Sequence, residues 1–389
     1  MKKLSSRLDH FETGIFAALT EKRNELLAQG RKLYNLYVGT PDFPVAEPIR
    51  RAVSEAAMDP EQFKYSLVDS PAMLEAVSEY YRSRYGVSVP TSCIASVNGS
   101  QDGIGHLGLA LCDPGDVVLL PDPGYPVFEA GAFLGGADVY YYPLKKENAF
   151  LPVLSDIPED VLERAKYMLL SYPSNPCGAV APRSLYESLI PAAKKYGFYL
   201  INDNAYSDIV FDGREGFSFL SVPDASEVGA EFFSLSKSFN TTGARISFCL
   251  GNSEIVAALK KIRSQYDFGM FSPLQQAAIA ALKTDRSVVK AQCAAYQARR
   301  DALCGGFRRI GWNVPDSAGT MFVWAPIPPA FASSMEFWTA LVDRAGVMGT
   351  PGRAFGPHGE GYIRFALVLP PETLCEVVDA VDKSGILQG

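Results

Sequence analysis

Histidine is scarce: His10, His106 and His358 are the only three in 389 residues, and they lie far apart. A His-based metal site or a Ser-His-Asp triad is therefore a poor starting point, and no metal is expected. There is no basic run, and 36 Lys+Arg stand against 43 Asp+Glu for a net charge of −7. A mildly acidic chain of this kind is a weak partner for nucleic acid or an anionic membrane. No stretch reaches ~18 consecutive apolar residues, so no membrane span is expected. The opening "MKKLSSRLDHFETG" has no apolar region behind its lysines, unlike a signal peptide. Seven cysteines, an odd number without a C-x-x-C, fit reduced thiols in a cytoplasmic protein. No internal repeat or low-complexity tract is evident.

What the chain does have is length and apolar content, 48% of 389 residues, enough for two domains. Residues 1–30 read as an amphipathic helical arm, followed by a short strand in "NLYVGTPDFP". From "SCIASV" to "ARISFCLG", apolar strands alternate with helices, and their unbroken apolar runs suit strands buried on both faces of a mostly parallel sheet. A long helix over about 287–309 leads into shorter strands and two helices. The expectation is an α/β fold: a three-layer α/β/α large domain over 46–286, and a smaller α+β domain from 1–45 and 287–389.

Ligands of open α/β sheets sit at the carboxyl ends of the strands, and four polar clusters fall there. In "VNGSQDGIG", Ser100 could cap a helix whose free N–H groups attract phosphate. The formal G-x-G-x-x-G of Gly103, Gly105 and Gly108 is discounted as a dinucleotide fingerprint, because "NGSQD" separates strand from glycine and the later acidic residue is missing. In "INDNAYSD", Asp203 could hold a ligand cation, and Tyr206 could donate to a ligand oxygen. "SYPSNPCGAVAP" is a rigid Asn-Pro turn able to aim Asn175. In "SLSKSFNTTGARIS", Lys237 ends a core strand among Ser234, Ser236 and Ser238, with Arg245 eight residues on. A partly desolvated amine has a lowered pKa and can condense with a carbonyl, while serines and arginine can hold a phosphate. Each cluster alone has an ordinary structural reading as a cap, a turn or a solvated loop. In this order they are the parts a pyridoxal-phosphate site needs.

The chain resembles the class I/II (fold-type I) pyridoxal-phosphate-dependent aminotransferases over nearly its whole length, through "YVGTPDFP", "KYS", "NGSQDGI", "PDPGYPVF", "NPCG", "DNAY", "SLSKSFNTTGAR" and "GYIRFAL". Two of these motifs, "NGSQDGI" and "PDPGYPVF", suggest a resemblance to the branch with LL-diaminopimelate aminotransferases. The resemblance implies that Lys237 carries the cofactor, that Asp203 pairs with its ring nitrogen, and that Tyr206 and Asn175 bind its phenolic oxygen. It places Tyr125 on the ring and Ser100, Gln101, Ser234, Ser236 and Arg245 on the phosphate. Tyr65 would reach the phosphate of a partner subunit, implying a homodimer with shared active sites. Arg364 would bind the substrate carboxylate with Gly39 close by and Asn175 also on the substrate side. Independently, Ile363, Phe365 and Leu367 of "YIRFALV" share an apolar face, which leaves Arg364 on the other. Cys177 replaces the family's usual Thr, Ser70 stands where a glycine is common, and Leu74-Glu75 replaces Leu-Arg.

The implied activity is transamination between an amino acid and a 2-oxo acid, with LL-diaminopimelate and 2-oxoglutarate as the first pair. The alternatives are a carbon–sulfur β-lyase, or an aminotransferase for alanine, aspartate or aromatic amino acids. An aminotransferase-like repressor would need a DNA-binding module, and only about thirty residues precede "LYNLYVG".

Overall fold

The computed structural model describes residues 4–11 and 15–388. The first strand, β1 (Tyr34–Asn35), pairs in parallel with the late strand β10 (Val347–Met348). Between them lie β2 (Ile94–Val97), β3 (Val117–Asp122), β4 (Asp138–Pro143), β5 (Ala165–Ser171), β6 (Tyr199–Asn204), β7 (Gly229–Ser234) and β8 (Ser247–Gly251). These seven make one sheet of order β2-β8-β7-β6-β5-β3-β4. All neighbours are parallel except at β8, which is antiparallel to both β2 and β7. The reversal has a local cause. Between β7 and β8 the chain makes only the single turn Leu235–Ser238 and a 3-10 turn at Thr242–Ala244, with no crossover helix to carry it back for parallel pairing. That fold-back holds Lys237.

Helices cover both faces of the sheet, giving the expected three layers. Helices Pro71–Tyr85, Arg183–Tyr196 and Ser272–Lys283 contribute to one core, in which Met73, Leu170, Leu189 and Ala278 are essentially inaccessible. Helices Ser100–Leu111, Val127–Gly135 and Ser253–Tyr266 build the other, around Leu107, Ala132, Ile201 and Leu259. The last of these starts on a well-formed cap: Asn252 Oδ1 accepts from the backbone N–H groups of Glu254 and Ile255 at 3.0 and 3.2 Å. Two glycines of the formal fingerprint, Gly103 and Gly108, serve packing. A Cβ on Gly108 would lie 1.8 Å from the Gly131 carbonyl oxygen, and one on Gly103 2.4 Å from the Phe232 ring.

A smaller antiparallel sheet follows, β11 (Thr350–Pro351), β12 (Tyr362–Ala366) and β9 (Phe322–Pro326), in that spatial order. Its core takes in helices Arg286–Arg309, Ser334–Ala345 and Pro371–Lys383, Leu19 and Leu26 of helix Ile15–Ala28, and Tyr206 from beyond β6. The expected N-terminal arm is two pieces, a 3-10 turn Ser6–His10 and the helix Ile15–Ala28, with residues 1–3 and 12–14 outside those described. His10 stacks on Phe133 at 4.4 Å. The strand expected in "NLYVGTPDFP" is confined to β1, which starts one residue earlier and takes in only Asn35 of that stretch. Among the described residues, no helix is long and apolar enough to cross a membrane.

Candidate active site

One cavity of about 380 Å³ opens at the carboxyl ends of β5, β6 and β7 and is closed on its far side by the small sheet. Ser100, Gln101, Tyr125, Asn175, Asp203, Tyr206, Ser234, Ser236, Lys237, Arg245, Arg364 and Gly39 all line it. The ends of five strands of the large sheet (β2, β3, β5, β6 and β7), the loop at Gly39 and strand β12 supply them, so the cavity exists only in the folded chain.

The Lys237 Nζ donates to the Gly39 carbonyl oxygen at 2.7 Å. Burial lowers its pKa to about 8, and the cations Arg364 and Arg245 push the same way. Across the cavity, burial raises the Asp203 carboxyl to about 7, helped by the charge of Glu231 on the adjacent strand. Glu231 is fully enclosed and well satisfied: it accepts from Tyr81 OH, Ser218 Oγ, Asn202 Nδ2 and the Phe219 N–H at 2.7–3.0 Å. Asp203 Oδ1, by contrast, is buried without a hydrogen-bond partner among the described residues. A buried acceptor left open at a cavity wall is costly to the protein alone and favours a ligand that donates there.

At the small-sheet end, Arg364 is 2% exposed. Its guanidinium lies between two rings, 4.1 Å from the centroid of Phe322 and 4.6 Å from that of Phe355. In its own plane it donates to Asn175 Oδ1 at 2.7 Å and to the Tyr37 carbonyl oxygen at 3.0 Å. Burial lowers its pKa to about 10. A flat cation so held presents fixed N–H groups to a planar anion.

The family model for aminotransferase class I and II matches residues 31–381. The chain belongs to the class I and II aminotransferases. It is an enzyme that moves an amino group between an amino acid and a 2-oxo acid. It is 41% identical over 374 residues to the LL-diaminopimelate aminotransferase of Dehalococcoides mccartyi strain 195, covering 96% of each chain. It is 38% identical over 387 residues to that of Gloeobacter violaceus, covering 99% of each. Among solved structures, substrate-bound BacF from Bacillus subtilis superposes with a TM-score of 0.95 at 35% identity, covering 98% of both chains.

Measured against this aminotransferase fold, one expected local role is wrong. Ser100 does not cap its helix: Gly99 occupies the cap position with φ +86°, and Ser100 is the first helical residue. Its Oγ is buried without a hydrogen-bond partner among the described residues, which leaves it open to a ligand. Gly99 is required there twice over, since a Cβ would fall 2.1 Å from Arg245 Nη2. Ser234 Oγ accepts from both the Ser236 N–H (3.1 Å) and Ser247 Oγ (2.9 Å), so its own hydrogen can point elsewhere. Tyr65 is the one expected residue outside the cavity; it is 86% exposed and its ring meets Phe268 edge-on at 6.0 Å. The Asn-Pro-Cys-Gly turn keeps its shape with Cys177 buried in it, as the Gly178 N–H donates to the Ser174 carbonyl oxygen at 2.9 Å. Sequence reasoning missed Thr242, Ser171 and the ring wall of Phe322. Thr242 lies inside the quoted "TTGAR", a signal that could have raised it. Phe322 reads as one more apolar strand residue. Among the described residues, no group of three or more His, Cys, Asp or Glu side chains is placed to hold a metal.

Proposed function

We propose that this aminotransferase works with pyridoxal phosphate, as a homodimer in the cytoplasm, on LL-diaminopimelate and 2-oxoglutarate. The observation that carries the cofactor is a match of unmet demands. Asp203 Oδ1 and Ser100 Oγ are buried without a partner among the described residues, at the wall of a cavity that also holds a partly neutral lysine amine and the Arg245 cation. A group with a protonated ring nitrogen, a carbonyl and a phosphate fits all four. The substrate pair rests on the names of the relatives at about 40% identity. Residues 46–286 would form the domain holding the cofactor; 1–45 with 287–389 would form the domain that brings in Arg364.

Bound pyridoxal phosphate supplies a carbonyl for the substrate amine and an aromatic ring that accepts electrons from the substrate Cα. The residues of the chain do the rest. Asp203, ionised beside a cation, would hold a proton on the ring nitrogen. Ser100, Gln101, Ser234, Ser236 and Arg245 would grip the phosphate, Tyr125 would cover the ring face, and Tyr206 with Asn175 would donate to the ring oxygen. Arg364 would take the substrate α-carboxylate in a two-point grip, which fixes the Cα–H bond relative to Lys237. The Lys237 Nζ, freed from Gly39, would remove the Cα proton as general base, a task suited to an amine with pKa about 8.

Borohydride reduction of the holoenzyme followed by peptide mapping should mark Lys237 alone; a tag elsewhere removes this reading. A panel of amino donors with 2-oxoglutarate then ranks LL-diaminopimelate against alanine, aspartate and aromatic amino acids. Pyruvate and thiol release from cystathionine without an oxo acid would move the activity to a β-lyase.

A further inference from the structure

His358 is outside the cavity, yet it closes a chain of contacts that ends on Arg364. Its Nδ1 lies 2.7 Å from Asp122 Oδ2, and its backbone N–H donates to Asp122 Oδ1 at 3.1 Å. Asp122 ends β3 with its side chain 3% exposed, while the His358 ring is 46% exposed. An ionised carboxylate only accepts, so Nδ1 carries the hydrogen. The loop between is fitted to that carboxylate. Gly356 has φ +121°, and a Cβ there would lie 2.1 Å from Asp122 Oδ1. The next contact pins Phe355: its carbonyl oxygen accepts from the Gly124 N–H at 2.8 Å. Phe355, 3% exposed, is one of the two rings enclosing the Arg364 guanidinium, and it meets Trp324 edge-on at 5.8 Å. Gly124 in turn adjoins Tyr125, which lines the cavity. The loop 352–359 of the small-sheet part is thus fastened to the end of β3 at two points, Phe355 and His358, and the ring at the first sets one side of the carboxylate-binding cation.

We propose that Asp122 and His358 are positioning residues for carboxylate recognition: by fastening the loop that carries Phe355, they hold Arg364 in the plane it needs to grip the substrate. This rests on the reading of Arg364 as the α-carboxylate site. Phe322 and Asn175 fix the other side and one edge of the guanidinium; without Phe355 the cation can tilt, and a two-point grip loosens to one.

The test is binding of glutarate, a carboxylate without an amino group, to the full-length protein by calorimetry, with the KM of the amino donor measured in parallel. His358→Ala should weaken glutarate about tenfold and raise KM similarly, with kcat within about twofold. His358→Asn, whose Nδ2–H can replace the Nδ1–H, should bind within about threefold of the parent protein. In a Phe355→Ala background, His358→Ala should have no further effect, because its influence passes through that ring. An unchanged glutarate affinity in His358→Ala overturns the proposal. So does an Asn variant as weak as the Ala variant, or an effect that adds to that of Phe355→Ala. Arg364→Ala separates the two readings. If it leaves glutarate binding intact, the carboxylate site itself is wrong; if it abolishes binding while His358→Ala does nothing, only the present proposal falls.

Discussion

Asp203 and Lys237 carry opposite titration costs, and each can be read from the protein without cofactor. The Asp203 carboxyl has its pKa raised from 3.8 to about 7 by burial and then by Glu231, so between those values the folded state holds a proton that the unfolded chain has released. Stability is thus fullest below pH 4 and falls as pH rises through 7, by up to about 4 kcal/mol. Asp203→Asn removes that slope: urea melts of the apoprotein should show the variant gaining on the parent from pH 4.5 to 8. Equal slopes would mean the carboxylate is not desolvated. For Lys237 the pKa falls from 10.5 to about 8, so the penalty for burying its charge is present below pH 8 and fades between 8 and 10.5. Lys237→Ala should lower turnover by at least about 10³-fold, more than a side chain that only binds would cost. Arg364→Ala should raise the KM of both substrates by about 10²-fold, since hydrogen bonds to a charged group are worth about 1.5–3 kcal/mol each. Initial-rate kinetics separate the two effects. These residues were legible in the sequence because their chemistry is out of place in core strands: a lysine after "AEFFSL" and an arginine inside "YIRFALV" need a reason. Phe322 and Phe355 were not legible, because an aromatic residue near a strand is ordinary until the fold brings it to a guanidinium.

At the scale of elements, the joint between β2 and helix Ser100–Leu111 does most to shape the end of the cavity lined by Arg245. Gly99 turns the chain through a conformation closed to L side chains, in contact with Arg245. Gly99→Ala should cost about 1–3 kcal/mol in stability for the backbone alone. It should also weaken cofactor affinity about tenfold or more by displacing Arg245, measured by titrating the apoprotein with pyridoxal phosphate. A stability loss without an affinity loss would separate Arg245 from the phosphate. Strands and helices of the large sheet were readable from apolar runs and periods, and most lie within a few residues of expectation. The helix start was not: "NGSQD" offers Ser100 as a natural cap, and the left-handed backbone and the close approach of Arg245 explain why glycine takes that place. Nor does a run of apolar residues reveal direction, so the antiparallel course of β8 follows from the short link through Lys237 rather than from its own residues.

For the whole molecule, the surface bears one feature that a lone chain does not account for. Met58, Phe63, Tyr65, Leu67 and Val68 are 60–86% exposed, and Tyr266, Phe268 and Phe271 join them at 44–65%. Ring contacts tie the two segments together: Phe63 to Phe271 at 5.4 Å and Tyr65 to Phe268 at 6.0 Å. The segment holding Tyr65 is braced from within, since the Gly269 N–H donates to the Ser66 carbonyl oxygen at 2.7 Å and Gln275 Nε2 to Ser66 Oγ at 2.8 Å. A braced apolar surface fits a permanent partner, and a second copy would give Tyr65 a cavity to enter. Complementation tests this without a structure of the assembly. Lys237→Ala and Tyr65→Ala proteins should each be weak alone. Mixed and reassembled, about half of the dimers are hybrids, and each hybrid has one site with both side chains intact, so about a quarter of the parent activity should return. If Tyr65 serves only its own chain, every site in every hybrid lacks one of the two groups, and mixing restores nothing. Size-exclusion chromatography of the same mixtures guards against the remaining explanation: a dimer peak with no recovery would keep the interface and remove Tyr65 from the partner's site.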